Sequence, residues 1–156
     1  MTQPGDILAF RVGPSSGWLG KLVGWGQRVV GKAPTQSGYE HIALVDAPGS
    51  IVEGYWPRVR RRDFSPEGYP NVEVYRIKGI TPDQAQKLVA EAHSHIGELY
   101  NVSGILTFGL VQLGHTVYCS QGLWQWVTVL YIALCKYDDL EGPDDIVGSP
   151  LLERIA

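Results

Sequence analysis

Short β-rich runs dominate residues 5–77, and apolar residues at helical spacing dominate residues 81–136. Residues 5–12, Gly-Asp-Ile-Leu-Ala-Phe-Arg-Val, read as a first strand ended by Gly13-Pro14. Residues 40–46 and 50–55 are two further strands joined by Ala47-Pro48-Gly49, a hairpin signal, and 59–64 and 72–77 continue the meander. Thr81-Pro82-Asp83-Gln84 opens a helix with an N-cap, a proline in the first turn and a capping-box glutamine. Ala85, Leu88, Val89, Ala92 and Ile96 supply its apolar stripe, and Gly97 stops it. Residues 102–113 and 122–136 read as two more helices, the second strongly apolar, before a tail from Asp138. Within the early β-rich region, residues 17–30 place Trp18, Leu22, Trp25 and Val29 at helical spacing, which suits packing on the core or lining a cleft. Gly24-Trp25-Gly26 lacks the third glycine and the preceding strand of a phosphate-binding loop.

No repeat, linker or low-complexity tract divides the 156 residues, so the pattern predicts one α+β domain. A hydrophobic content of 44% and a net charge of −3 describe an ordinary globular chain with no surface for nucleic acid. The first residues carry no basic stretch followed by an apolar run, so no signal peptide is read there and cytosolic synthesis is the expectation. The most apolar run, 127–135, falls short of the roughly 20 residues a transmembrane helix takes, which leaves only peripheral membrane contact open. Of the two cysteines, Cys119 opens the apolar helix and Cys135 lies on it, roughly 24 Å away at 1.5 Å per residue. A disulfide takes Cα atoms within about 7 Å, so the two are not a pair.

A helix start stabilises a thiolate, which makes Cys119 the candidate nucleophile. Four histidines can serve as its base. His93 and His95 lie two apart on a helix, on different faces, and read as solvated; His115 sits in a loop with no evident acid. His41 lies on a strand whose alternation puts Tyr39, His41, Ala43 and Val45 on one face, and Glu53 comes twelve residues later on the returning strand. A carboxylate beside a histidine orients the ring and favours its imidazolium form. Register decides whether the two meet. A simple two-residue loop at Pro48-Gly49 turns Glu53 away, whereas an odd loop or a bulge pairs Ala43 with Glu53 and puts both side chains on one face. Arg58, Arg60 and Arg62 alternate onto one face, which suits an anionic substrate but is more often a solvated or edge-protecting strand. Tyr39, Tyr118 and Trp56 are candidate substrate contacts, although packing is the commoner use of an aromatic. The histidines and cysteines lack metal-ligand spacing, so neither a metal nor another cofactor is expected.

Gly5-Asp6-Ile7, His41-Ile42-Ala43-Leu44, Val52-Glu53 and Tyr118-Cys119-Ser120, in that order, together resemble the permuted NlpC/P60 group. These are papain-like thiol hydrolases that include the YiiX-type proteins and, more distantly, lecithin:retinol acyltransferase-like enzymes. The tail Gly142-Pro143-Asp144-Asp145-Ile146 with Ser149-Pro150-Leu151 resembles the end of YiiX-type sequences. The resemblance implies a circularly permuted fold, an antiparallel sheet or small barrel packed against helices, with Cys119 as nucleophile, His41 as base and Glu53 as third polar residue. Gln121 departs from the acidic residue often found two after the cysteine, and residues 13–37 do not align. The expected activity is thiol hydrolysis of the amidase or peptidase type, on cell-wall peptides for example. A lipid-directed acyltransferase or thioesterase, or a binding module on the same fold, are the alternatives. The partner expected is a small-molecule, peptide or lipid acyl substrate, and the sequence leaves the oligomeric state open.

Overall fold

The computed structural model describes residues 2–11, 38–65, 68–100, 116–117, 123, 126–127, 130 and 146–156. Strands β1 (Ile7–Arg11), β2 (Tyr39–Ala47), β3 (Ser50–Tyr55), β4 (Arg58–Asp63) and β5 (Val72–Ile77) precede helix α1 (Pro82–Ser94). The short strands β6 (Leu99–Tyr100), β7 (Thr116–Val117) and β8 (Leu152–Arg154) come after it. They form one sheet in the order β7-β6-β4-β3-β2-β1-β5-β8. Every pairing is antiparallel except β6 with β7. Among the described residues the sheet is open, its edge strands β7 and β8 unpaired with each other, which is the sheet and not the small barrel of the two forms expected.

β1 lies between β2 and β5 with its first three residues fully buried, as the unbroken Ile7-Leu8-Ala9-Phe10 run requires of a strand covered on both faces. Ile7, Ala9, Ile42, Leu44 and Val52 point to the face covered by Leu88 and Ala92 of α1. Leu8, Phe10, Ala43, Val45, Ile51 and Val74 form a second cluster, with Phe64, on the other face. Leu123, Trp126 and Val127 are helical, fully buried and part of the first cluster, in keeping with the apolar helix read over 122–136. The rest of that helix, and the helices read at 17–30 and 102–113, lie outside the described residues.

α1 begins where the sequence places it. The Thr81 hydroxyl accepts from the Gln84 N–H at 3.2 Å, and the Gln84 side chain accepts from the Thr81 N–H at 2.9 Å. It ends earlier than Gly97, at a cap on His95, so Ile96 leaves the apolar stripe and is 43% exposed. The two- and three-residue strands β6, β7 and β8 escape sequence reading because their pairing partners, not their own alternation, define them.

The entry to β1 is held by two contacts. Asp6 is fully buried and takes a paired bond from Arg76, at 2.7 and 2.9 Å, while its Oδ2 also accepts from the Gln3 N–H. Gly5 has φ +90°, and a Cβ placed on it would stand 2.9 Å from the Ala85 Cβ of α1. Both the backbone conformation and the close approach to α1 call for glycine. A Gly5→Ala variant should lose about 2–4 kcal/mol of stability. Urea unfolding measures this, and a loss below about 0.5 kcal/mol would show that the β1–α1 approach is not tight.

Candidate functional site

Two irregularities in β2 decide which side chains meet. On the β3 side, Ala43 pairs with Glu53, Leu44 with Val52 and Val45 with Ile51, but Ala47 pairs with Ser50. Asp46 is therefore an extra residue, and the hairpin is a two-residue Pro48-Gly49 loop with a bulge before it. That is the register the His41–Glu53 pair requires. On the β1 side, Phe10 pairs with His41 and Arg11 with Tyr39, so Glu40 is a second extra residue. Strict alternation predicts Tyr39 and His41 on one face; the bulge reverses Tyr39 and packs it on the α1 side.

His41 Nε2 lies 2.9 Å from Glu53 Oε2. The carboxylate is 1% exposed and receives two arginines on its other oxygen: Arg60 through Nε at 2.9 Å and Nη2 at 2.8 Å, and Arg62 through Nε at 2.7 Å. Arg60 is the directly opposed residue on β4, and Arg62 lies two further along the same face. Burial alone would push the Glu53 pKa up, but the bond and charge of His41, then Arg62 and Arg60, more than offset it and hold it at about 2. The imidazole, 17% exposed, packs between rings, 5.4 Å from Phe10 and 6.2 Å edge-on from Tyr55. Arg60 in turn lies over the Tyr55 ring, its guanidinium carbon 4.0 Å from the centroid. The result is an oriented histidine on an ionised, buried carboxylate, the pairing a general base uses.

The other predicted contacts fall elsewhere. Tyr39 is 1% exposed; its hydroxyl bonds to Glu73 and lies 2.8 Å from the Tyr75 hydroxyl. Burial, then these bonds, raise its pKa above the ordinary tyrosine value. Arg11 and Arg154 complete that cluster on Glu73 at 2.6 and 3.0 Å, so Tyr39 belongs to a polar network on the α1 face and not to the surroundings of His41. Trp56 stands 57% exposed at the β3–β4 turn, and Arg58 donates to the Gly97 carbonyl at 2.6 Å. Cys119, Tyr118, His115 and Cys135 lie outside the described residues. The α1 histidines are not simply solvated: His93 reaches buried Asp46 at 3.0 Å, beside Arg61 at 2.5 Å, and His95 lies between Glu91 and Glu98 against Trp126. Glu98 and Glu91 raise the His95 pKa although burial opposes the charge.

Registers carry the His41 level across the sheet. Continuing the β2–β3 pairing sets His41 opposite Tyr55; Tyr55 pairs with Arg58, Arg58 with Leu99 and Leu99 with Thr116. The chain thus enters the 118–122 stretch from the row that contains His41.

An open, mostly antiparallel sheet backed by a helix, with a histidine–carboxylate pair on adjacent central strands, defines the class of fold. No family model matches the chain, and no curated protein matches it in sequence. Among solved structures, it is similar to the metalloprotein YiiX from Escherichia coli O157:H7, a DUF1105 protein. The two share 19% identity over 99% of this chain and 96% of that one, with a TM-score of 0.67. The chain has the YiiX-type fold. Among the described residues, no three His, Cys, Asp or Glu side chains gather to hold a metal ion. Glu53 also has its lone pairs engaged by His41, Arg60 and Arg62, so the pair does not fit a metal. Nor is any helix among the described residues long and apolar enough to cross a membrane.

The sign of the acid response is set by Glu53. Its pKa is lowered from 4.5 to about 2, so the stability it contributes is present above pH 4.5 and lost as pH falls toward 2. Acid unfolding followed by circular dichroism should show this limb. A Glu53→Gln variant should show a smaller acid limb, Asp46 and Glu73 keeping their shares, and should lose about 3–5 kcal/mol at neutral pH, because two arginines are left without their carboxylate. An unchanged acid limb in that variant would assign it to other carboxylates.

Proposed function

We propose that the chain is a cysteine-nucleophile hydrolase of the amidase or peptidase type, in which Cys119, His41 and Glu53 act in a circularly permuted NlpC/P60 arrangement. The observation that carries this reading is the 2.9 Å bond between His41 and a buried, ionised Glu53. With Nε2 turned to Glu53, Nδ1 is the atom assigned to take the Cys119 proton. The thiolate attacks the substrate carbonyl, the leaving amine takes the proton from the imidazolium, and water hydrolyses the resulting thioester. In this reading the N–H of Cys119, which the sequence sets at a helix start, is one oxyanion donor, worth about 2.7–4 kcal/mol in comparable sites.

The reading sets a spatial requirement. Four strand spacings separate β2 from β7 in the sheet order, about 19 Å along a flat sheet, and the pair lies on the face away from α1. Two residues beyond Val117 reach only about 7 Å, so the reading requires the sheet to twist and curl until its β7 edge approaches the Tyr55–Arg58 end near His41. A lipid acyl substrate is the second reading, favoured by Tyr55, Trp56 and Leu99, each 47% or more exposed along that same end.

Iodoacetamide labelling of Cys119 against pH is expected to titrate well below the ordinary thiol pKa of about 8.5 and to slow about a hundredfold near pH 6 in His41→Ala. Labelling that tracks an ordinary thiol in the wild type would refute the activated nucleophile. Incubation with peptide, peptidoglycan and acyl-lipid panels, with acylated Cys119 read by mass spectrometry, separates the two substrate readings. The spatial requirement has its own check: in His41→Cys, mild oxidation should link residues 41 and 119, which needs Cα atoms within about 7 Å. Formation of no such disulfide, while Cys119 stays reactive, would place the base elsewhere.

A further inference from the structure

We propose that the surface beside His41 is an anion subsite, taking a carboxylate or phosphate that the acyl substrate carries next to the bond Cys119 attacks. This deepens the triad reading and rests on it. Arg60 and Arg62 bind the same carboxylate as His41, so two guanidinium charges face one carboxylate charge within the span of a single side chain. The neighbouring charges leave that excess standing. Glu40, the extra residue beside His41, subtracts one; Arg58, anchored on the Gly97 carbonyl, adds one. Asp63 lies at the far end of β4, opposite Ser50.

The excess charge is accessible. The Arg60 side chain is 44% exposed and that of Arg62 25%. Arg60 presents Nε and Nη2 to Glu53, while Nη1 has no hydrogen-bond partner among the described residues. Both guanidiniums are fixed against aromatic rings, Arg60 over Tyr55 at 4.0 Å and Arg62 5.4 Å from Tyr69. A rigid guanidinium with an outward edge loses little entropy on meeting an oxyanion, and its planar fork matches a carboxylate or phosphate. A merely solvated basic strand has neither the shared carboxylate nor the stacked rings.

The test compares two alkylating agents on Cys119 in the full chain, read by mass spectrometry of the peptide that contains it. Both form a thioether as the thiolate displaces iodide, but iodoacetate is anionic and iodoacetamide neutral. One excess charge beside the thiolate should raise the iodoacetate-to-iodoacetamide rate ratio about five- to tenfold above that of glutathione. The ratio should fall toward the glutathione value in 1 M NaCl and in Arg60→Gln, and persist in Arg60→Lys. N-acetylglycine and glycerol phosphate, added as competitors, should slow the iodoacetate reaction, and the stronger of the two shows whether a carboxylate or a phosphate is preferred. A ratio equal to that of glutathione, or no protection by either competitor, with iodoacetamide still fast, overturns the anion subsite and leaves the triad standing. Slow labelling by both reagents removes the triad reading and the subsite together.

Discussion

The buried carboxylate of Glu53 is the constraint on which the centre of the sheet depends. An ionised carboxylate taken out of water costs several kcal/mol unless charged hydrogen bonds replace its hydration. Glu53 obtains them from the strands on either side: His41 on β2 and Arg60 and Arg62 on β4, with Glu53 itself on β3 between them. The same contacts that make the burial tolerable also fix the imidazole, because Oε2 meets Nε2 while Oε1 is held by both arginines and Arg62 Nη2 reaches Oε2 as well, at 3.4 Å. Fold and site are therefore coupled through one side chain. A substitution that frees His41 from Glu53 also leaves two arginines facing each other across a carboxylate-sized gap.

That coupling requires the Asp46 bulge. Without it, the two-residue Pro48-Gly49 loop would pair residues so that Glu53 projects toward α1, into the apolar layer of Leu88 and Trp126. Asp46 keeps the α1-side position that alternation from Leu44 gives it, and there Arg61 and His93 receive its carboxylate and lower its pKa against the opposing effect of burial. One inserted residue thus separates two carboxylate–histidine pairs onto opposite faces of the sheet.

Much of this was legible in the residues. The strands at 50–55 and 72–77, the capping box of α1 and the need for a bulge or odd loop all come from local chemistry. The clamp on Glu53 was legible too: a two-residue turn at Trp56-Pro57 pairs Tyr55 with Arg58 and hence Glu53 with Arg60. Alternation alone presents the arginines as a strand face, and only the turn count brings them onto Glu53. The face that Tyr39 takes is not legible in the same way. The bulge at Glu40 is imposed by pairing with β1, and nothing in the local alternation of Tyr39-Glu40-His41 announces it. His95 likewise reads as solvated until Trp126, thirty-one residues on, packs against it.

Two histidine–carboxylate pairs exist on β2, and register distinguishes their prospects as partners of a thiol. Asp46 lies five residues along the strand from His41, about 17 Å in extended chain, at the Pro48-Gly49 end of the sheet. Thr116 and Val117, which lead into residue 119, lie at the opposite end, on the row that runs through Leu99, Arg58 and Tyr55 to His41. Two residues of chain beyond Val117 span about 7 Å at most, too little to travel the length of the sheet to His93. His93, 42% exposed and bonded to an aspartate already engaged by Arg61, then serves to fasten the end of α1 to the sheet. The end of the sheet at which each pair lies, and not the chemistry of the histidines themselves, is what sets the two apart for the proposed thiol.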